Sequence, residues 1–195
     1  ELAPRQKGTV RNGTFKEPFN HRMIFVYGTG GNAEENKWAY EKAVYDAEVW
    51  YYRGNGAVDI IADKGFNPSK YPDRGVVLFG NSKTNKAWKK LLSDCPVQVQ
   101  PGTISVGDKR YTGDDLGAYF MWPRADSEIA SVAVVSGSGI KGMKATESNQ
   151  YFAAGSGFPD FMVFSLDMLK DGAEGIKCAG FYSNDWKIDV NNSSL

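Results

Sequence analysis

Met23-Ile24-Phe25-Val26-Tyr27-Gly28-Thr29-Gly30-Gly31-Asn32-Ala33-Glu34-Glu35 decides the fold class of this 195-residue chain. An unbroken apolar run closed by glycines predicts a strand buried on both faces, since a strand with one wet face would alternate. Asn32 supplies an oxygen for the first amides of a helix, and Glu35 lies where the helix dipole favours an acid. The helix is predicted to run to about Arg53 and to stop at Gly54-Asn55-Gly56. Ala39, Ala43, Ala47 and Trp50 give it a narrow apolar face, which Tyr40, Val44 and Tyr51 widen.

The alternation continues along the chain. Val58-Asp59-Ile60-Ile61-Ala62 predicts a second strand, ending at Asp63. Gly75-Val76-Val77-Leu78-Phe79 predicts a third, ending at Gly80-Asn81-Ser82. Thr84 then caps a short helix with Ala87, Trp88, Leu91 and Leu92 inward. Strand, helix, strand in this order favours a parallel sheet. The texture changes over residues 96–112, where Pro101-Gly102, suited to a type II turn, sits between two alternating runs. That stretch reads as an inserted antiparallel hairpin. Gly113-Asp114-Asp115-Leu116 predicts a short helical turn. Buried strands return at 131–135, 161–164 and 179–182, with a short helix near 141–147. The expected fold is therefore α/β: a three-layer, Rossmann-like or flavodoxin-like, mostly parallel sheet. Residues 1–20 are an irregular lead-in and 21–190 a single domain, a size that buries a sizeable core.

Composition removes several function classes. Lys+Arg and Asp+Glu number 23 each, so no net field favours nucleic acid or an anionic membrane. The Lys86, Lys89 and Lys90 group reads as a solvated helix face. No apolar run is long enough for a membrane helix. Glu1-Leu2-Ala3-Pro4-Arg5 lacks the charged-then-apolar layout of a signal peptide. Cys95 and Cys178 have no metal spacing and are expected free, with pairing the alternative in an exported protein.

Of the chemical motifs, Gly28-x-Gly30-x-x-Ala33 after a strand matches the loose dinucleotide fingerprint. Its glycines would let amides approach a pyrophosphate at the helix start. Asp63 is the candidate ribose acid, although it falls farther along than that fingerprint places it. A tight strand-to-helix turn explains the same glycines. No phosphate loop of the Gly-Lys-Ser/Thr type occurs, and Ser136-Gly137-Ser138-Gly139-Ile140 fails the nucleophile-elbow pattern at both glycines. His21, the one histidine, precedes the first strand, at the wrong end to serve a nucleophile beyond strand termini. One His and two distant Cys make no zinc site, and Asp114, Asp115 and Asp185 are the remaining hard-cation candidates, better read as turn residues. Trp38, Trp50, Tyr51 and Tyr52 fall at helical spacing and are expected in the core. Neither a metal nor a cofactor is expected. The candidate site is therefore positional, beyond the carboxyl ends of strands: Gly28, Thr29, Gly30, Asn32, Asp63, Asn81, Ser82, Asn85, Ser136, Ser138, Asn184 and Asp185. Uncharged hydrogen-bonding groups dominate this set, which suits a small polar ligand.

Several stretches together resemble a domain that follows the hydrolase domain in secreted prolyl-oligopeptidase/α/β-hydrolase-like proteins of Bacteroidetes and Planctomycetes. They are residues 23–35 (MIFVYGTGGNAEE), 47–63 (AEVWYYRGNGAVDIIAD), 72–88 (PDRGVVLFGNSKTNKAW), 113–116 (GDDL), 132–143 (VAVVSGSGIKGM) and 180–186 (GFYSNDW). The resemblance implies a periplasmic or extracellular location, an α/β fold and a hydrolase domain as partner. Any hydrolase nucleophile would then belong to that neighbour. The expectation is a non-catalytic accessory or small-ligand-binding domain. The alternatives are a nucleotide- or dinucleotide-dependent enzyme built on residues 28–33 and Asp63, a hydrolase with an unrecognised site, and a protein-contact module.

Overall fold

A computed structural model describes residue 3, residues 5–148 and residues 150–195. Of the lead-in expected over 1–20, and of the quoted N-terminal pentapeptide, residues 1, 2 and 4 lie outside the described residues. In chain order the elements are β1 (Ile24–Tyr27), α1 (Ala33–Gly54), β2 (Asp59–Ala62), β3 (Val76–Phe79), α2 (Trp88–Leu91) and β4 (Val97–Gln100). There follow β5 (Thr103–Val106), β6 (Lys109–Thr112), β7 (Leu116–Pro123), β8 (Ser131–Gly137) and α3 (Ile140–Ala145). The last are β9 (Phe161–Ser165), α4 (Met168–Asp171), β10 (Ile176–Tyr182) and β11 (Ile188–Ser194).

The fold is α/β, built on an eight-stranded sheet of order β11-β10-β9-β7-β8-β3-β1-β2. Only one half of it is parallel. β1 pairs in parallel with β2 and β3, and β3 with β8. From β8 outward, β7, β9, β10 and β11 pair antiparallel in succession. The expectation of a mostly parallel sheet is corrected here, and the reason lies in the connections. Parallel neighbours need a crossover of about a dozen residues or more. Only residues 124–130 join β7 to β8, and only 183–187 join β10 to β11. Two further differences concern the elements themselves. The helical turn expected at 113–116 is instead the approach to β7, and β11 was not anticipated, because its Asp-Val-Asn-Asn-Ser-Ser sequence has no apolar run.

Strand parity sorts the core into two layers. Ile24, Val26, Val76, Leu78, Val132 and Val134 face one side; Phe25, Val77, Phe79, Ala133 and Val135 face the other. The stretch at 96–112 is more than a hairpin. β4, β5 and β6 form their own antiparallel sheet, and Val97, Val99, Ile104 and Val106 join Trp88 and Leu91 of α2 in covering the first side. Gly102 takes the positive φ of 74° expected at the centre of its turn. On the second side Trp38, Ala39 and Ala43 of α1 pack with Met143 of α3. Asn32 and Glu35 form the expected capping box, and Asn55, left-handed at φ 48°, ends α1. The buried stripe of α1 is Trp38, Ala39, Lys42, Ala43 and Asp46; Tyr40 and Tyr51, expected to widen it, are exposed, as is Tyr52. No helix among the described residues is long and apolar enough to cross a membrane.

The lead-in is structural. Phe15 and Phe19 sit in the second core layer, and buried polar groups fix the rest. The Arg11 guanidinium donates to the carbonyls of Arg124, Ser127 and Ala130. Buried Asp160 accepts from Lys7 Nζ and from the amides of Thr14 and Tyr182. Glu17 accepts from the Ser131 hydroxyl at 3.0 Å. Burial pushes the Glu17 carboxyl up to about 7, against an opposing effect of the Ser131 hydrogen bond and Arg11. Because the folded value lies above the ordinary one, the folded state holds this proton more tightly. Its contribution to stability is full below pH 4.5 and is lost as pH rises through about 7. Glu17→Gln removes that titration, so its urea midpoint is expected to fall less over this window than that of the unmodified chain. Equal slopes for the two proteins would contradict the assignment.

Candidate functional site

The carboxyl ends of the parallel strands meet at the loop over residues 80–87, and the polar side chains there bind the protein to itself. Asn85, 1 % exposed, donates from its amide to the carbonyls of Val26 at 2.9 Å and Phe79 at 3.0 Å, and accepts from the Ala87 amide. It thereby ties β1 to β3 at their carboxyl ends. Asn81, also buried, donates to the Gly137 carbonyl after β8 and accepts from the amides of Lys83 and Thr84. Asp63 accepts from the Thr29 hydroxyl and from the Lys86 amide, both at 2.6 Å. Ser138 donates to the Gly113 carbonyl and accepts from the Leu116 amide. The Ser82 amide donates to Val99, and the Gly102 amide to Ser138, so the small sheet is tied onto this edge. Ser136 is the exception: it is fully buried and its hydroxyl has no hydrogen-bond partner.

The glycine loop after β1 is closed in the same way. The amides of Gly28 and Gly30 donate to the carbonyls of Phe79 and Thr84, that of Gly31 to Asn36 Oδ1 and that of Asn32 to Glu35 Oε2. A Cβ on Gly28 would lie 2.5 Å from the Thr84 carbonyl oxygen. Glycine is required there because the 80–87 loop packs directly against the backbone. The amides a pyrophosphate would use have internal acceptors, and Glu34 and Glu35 in the first turn of α1 would repel its charge.

Asn184 and Asp185 stand elsewhere. β10 runs opposite to β8, so its end lies at the amino edge of the parallel strands. There Asn184 donates to the Lys7 carbonyl and Asp185 accepts from Gln6. His21 is at that edge too, its Nε2 3.9 Å from Glu17. The structure thus brings together Gly28, Thr29, Gly30, Asp63, Asn81, Asn85 and Ser138, leaves Asn32 as the helix cap, and separates Asn184 and Asp185 from them. Cys95 and Cys178 are both free and buried; burial pushes the Cys95 thiol up to about 12. No group of three or more His, Cys, Asp or Glu among the described residues is arranged to hold a metal ion.

An open cleft lies along α1, against residues 144–148 and 150–152. Its floor is a cavity of about 50 Å³ lined by Lys42, Tyr45, Asp46, Val49, Arg53, Glu147, Gln150, Tyr151 and Phe152, so both charge signs face it. Lys42 Nζ donates to Asp46 Oδ1 at 2.6 Å, with both side chains almost wholly buried. The Tyr151 hydroxyl donates to the other Asp46 oxygen. Lys42 Nζ also lies 4.9 Å from the Tyr151 ring centre and 5.8 Å from that of Tyr45. Burial pushes the Asp46 carboxyl up to about 6, with the Lys42 ammonium opposing. Outside the floor a cavity of about 340 Å³ opens between Glu41, Lys42, Tyr45 and Glu147. Two cross-links bracket the cleft: Lys144 to Glu34 at 2.7 Å at one end and Arg53 to Gln150 at 2.8 Å at the other. The sequence carried one signal for this site, two opposite charges at Lys42 and Asp46 on the same helical stripe as Ala39 and Ala43. Tyr151, 105 residues beyond Asp46, gave none.

Among known proteins, no family model matches this chain, and no curated protein matches it. The strand-end network makes a direct prediction. Asn85→Ala removes three buried hydrogen bonds and should cost about 1–3 kcal/mol in urea unfolding with an unchanged m-value. A loss below about 0.5 kcal/mol, typical of a surface site, would contradict the role given to Asn85.

Proposed function

We propose that this chain is a non-catalytic recognition domain whose small polar ligand enters the cleft between α1 and the segment carrying Glu147, Gln150 and Tyr151. One observation carries this reading: a buried ammonium, Lys42, with a single carboxylate acceptor stands at the floor of an open cleft. The strand-end side chains, by contrast, are held in hydrogen bonds to their own backbone, which supports a structural role for them. The resemblance to a domain following a secreted hydrolase supports the rest of the proposal: an exported location, and a hydrolase domain of a parent protein as the partner that performs the chemistry. The balanced charge supports a small molecule over a nucleic acid. The parallel half is read as flavodoxin-like, supported by its order β2-β1-β3-β8.

A fragment screen read by amide chemical shifts tests the location. Hits are expected to perturb residues 41–53 and 144–152; hits confined to residues 28–33 and 80–87 would overturn it. The purified chain alone is expected to leave ester and peptide substrates intact, and hydrolysis that Ser138→Ala abolishes would refute the non-catalytic reading.

A further inference from the structure

We infer that the chain forms a two-fold dimer through the free edge of β2 and the tyrosine stripe of α1, with a second copy of itself as the partner. No residue that lines the cleft lines this surface, so the inference stands apart from the function proposed above. β2 ends the sheet and pairs on one side only, with β1. Alternate amides and carbonyls of the strand therefore face outward with no strand beside them. The two edges of the sheet differ. β11, at the far edge, is polar, and Asp189 accepts from the Asn191 amide and the Asn192 side chain. β2 reads Asp-Ile-Ile-Ala, has neither lysine nor proline, and is as long as β1 and β3. Its single charge, Asp59, is paired with Arg74 at 2.7 Å. Edges of monomeric sheets are ordinarily blunted by charge, proline or a bulge, yet β2 keeps an unbroken register and an apolar centre.

Beside that edge an open groove of about 500 Å³ runs between α1 and β2, lined by Val44, Ala47, Tyr51, Tyr52, Val58 and Ile60. Glu48, the one charged residue lining it, is exposed. Tyr40, Val44, Ala47 and Tyr51 fall at helical spacing on one stripe. Tyr40, Tyr51 and Tyr52 are 51 %, 63 % and 84 % exposed. At about 200 Å² for an aromatic side chain, these three leave about 400 Å² open. That is half of the ~800 Å² each partner buries in a standard interface, and the edge of β2 and the rest of the groove add to it. A two-fold axis through the sheet sets β2 antiparallel to its copy and puts both α1 helices on the same face. Because α1 packs over β1, three strand spacings of about 4.8 Å separate the two helices by about 14 Å. Helices in direct contact lie about 8–10 Å apart, so the wider gap needs side chains as large as Tyr51 and Tyr52 from both copies. A lone extended peptide would pair with the edge and leave the stripe, about three turns long, bare. A second copy brings an edge and a stripe together.

Analytical sedimentation of the chain at ~100 μM tests this, since an interface of standard size binds at micromolar concentration or tighter. A species of twice the mass of the chain is expected. Tyr51→Glu and Tyr52→Arg, at exposed positions where the fold tolerates them, are each expected to raise the dissociation constant ~10-fold or more. Amides of Asp59–Ala62 are expected to exchange more slowly in the dimer than in the chain diluted to monomer. A chain that stays monomeric at that concentration, or a dimer that both substitutions leave unchanged, would overturn the inference. Equal exchange of the β2 amides in dimer and monomer would do the same. If the chain stays monomeric and those amides are protected only when an extended peptide is added, the edge belongs to a peptide partner and the second copy is ruled out.

Discussion

Most of the polar side chains at the carboxyl edge of this sheet follow from the requirement that buried backbone groups find partners. The parallel strands are short, and where each ladder ends the chain is still under the small sheet and the 80–87 loop. Asn85 continues the pairing with its side chain, taking the carbonyls of two neighbouring strands at once. Asn81 does the same toward β8, Asp63 secures the loop after β1 through Thr29, and Ser138 secures the turn before β7. In low dielectric an unmade hydrogen bond costs more than a made one contributes. That asymmetry makes these polar residues structural. It also accounts for Arg11 and Asp160 at the far edge, which satisfy carbonyls and amides of the lead-in.

The cleft follows a different rule. Lys42, Asp46 and Tyr151 are buried together, and the donors are used unevenly: each Asp46 oxygen accepts one hydrogen bond, while the ammonium spends one of its three N–H groups. A buried ion pair is weak evidence for stability, since desolvation offsets most of its attraction. An unbalanced pair at the bottom of an open cleft is therefore better explained by what it can hold. Lys144–Glu34 and Arg53–Gln150 bridge the two walls, both as exposed contacts that solvent screens.

Much of the fold was legible because local signals and tertiary structure agree. The capping box at Asn32 and Glu35, the stop at Asn55 and the apolar runs of β1, β3 and β8 are set by neighbours in sequence. Strand direction in the far half was harder: the runs at 131–135 and 161–164 look alike, and only connection length separates parallel from antiparallel pairing. β11 carried no signal, because an edge strand with one polar face has no apolar run to read. The candidate site was legible only in part. Glycine and asparagine after a strand are demanded equally by a ligand loop and by a close-packed turn, and the distinction rests on which acceptors the amides meet in space. Tyr151 and Glu147 reach the cleft from a segment remote in sequence, so neither could be assigned to it beforehand.

Amide hydrogen exchange of the loop after β1 tests the central claim most directly. If the strand-end loops are closed by internal hydrogen bonds, the Gly28 and Gly30 amides exchange as slowly as those of β1, and Gly31 is protected through Asn36. Exchange of all three at the rate of exposed amides would contradict the account and return the loop to the list of ligand sites.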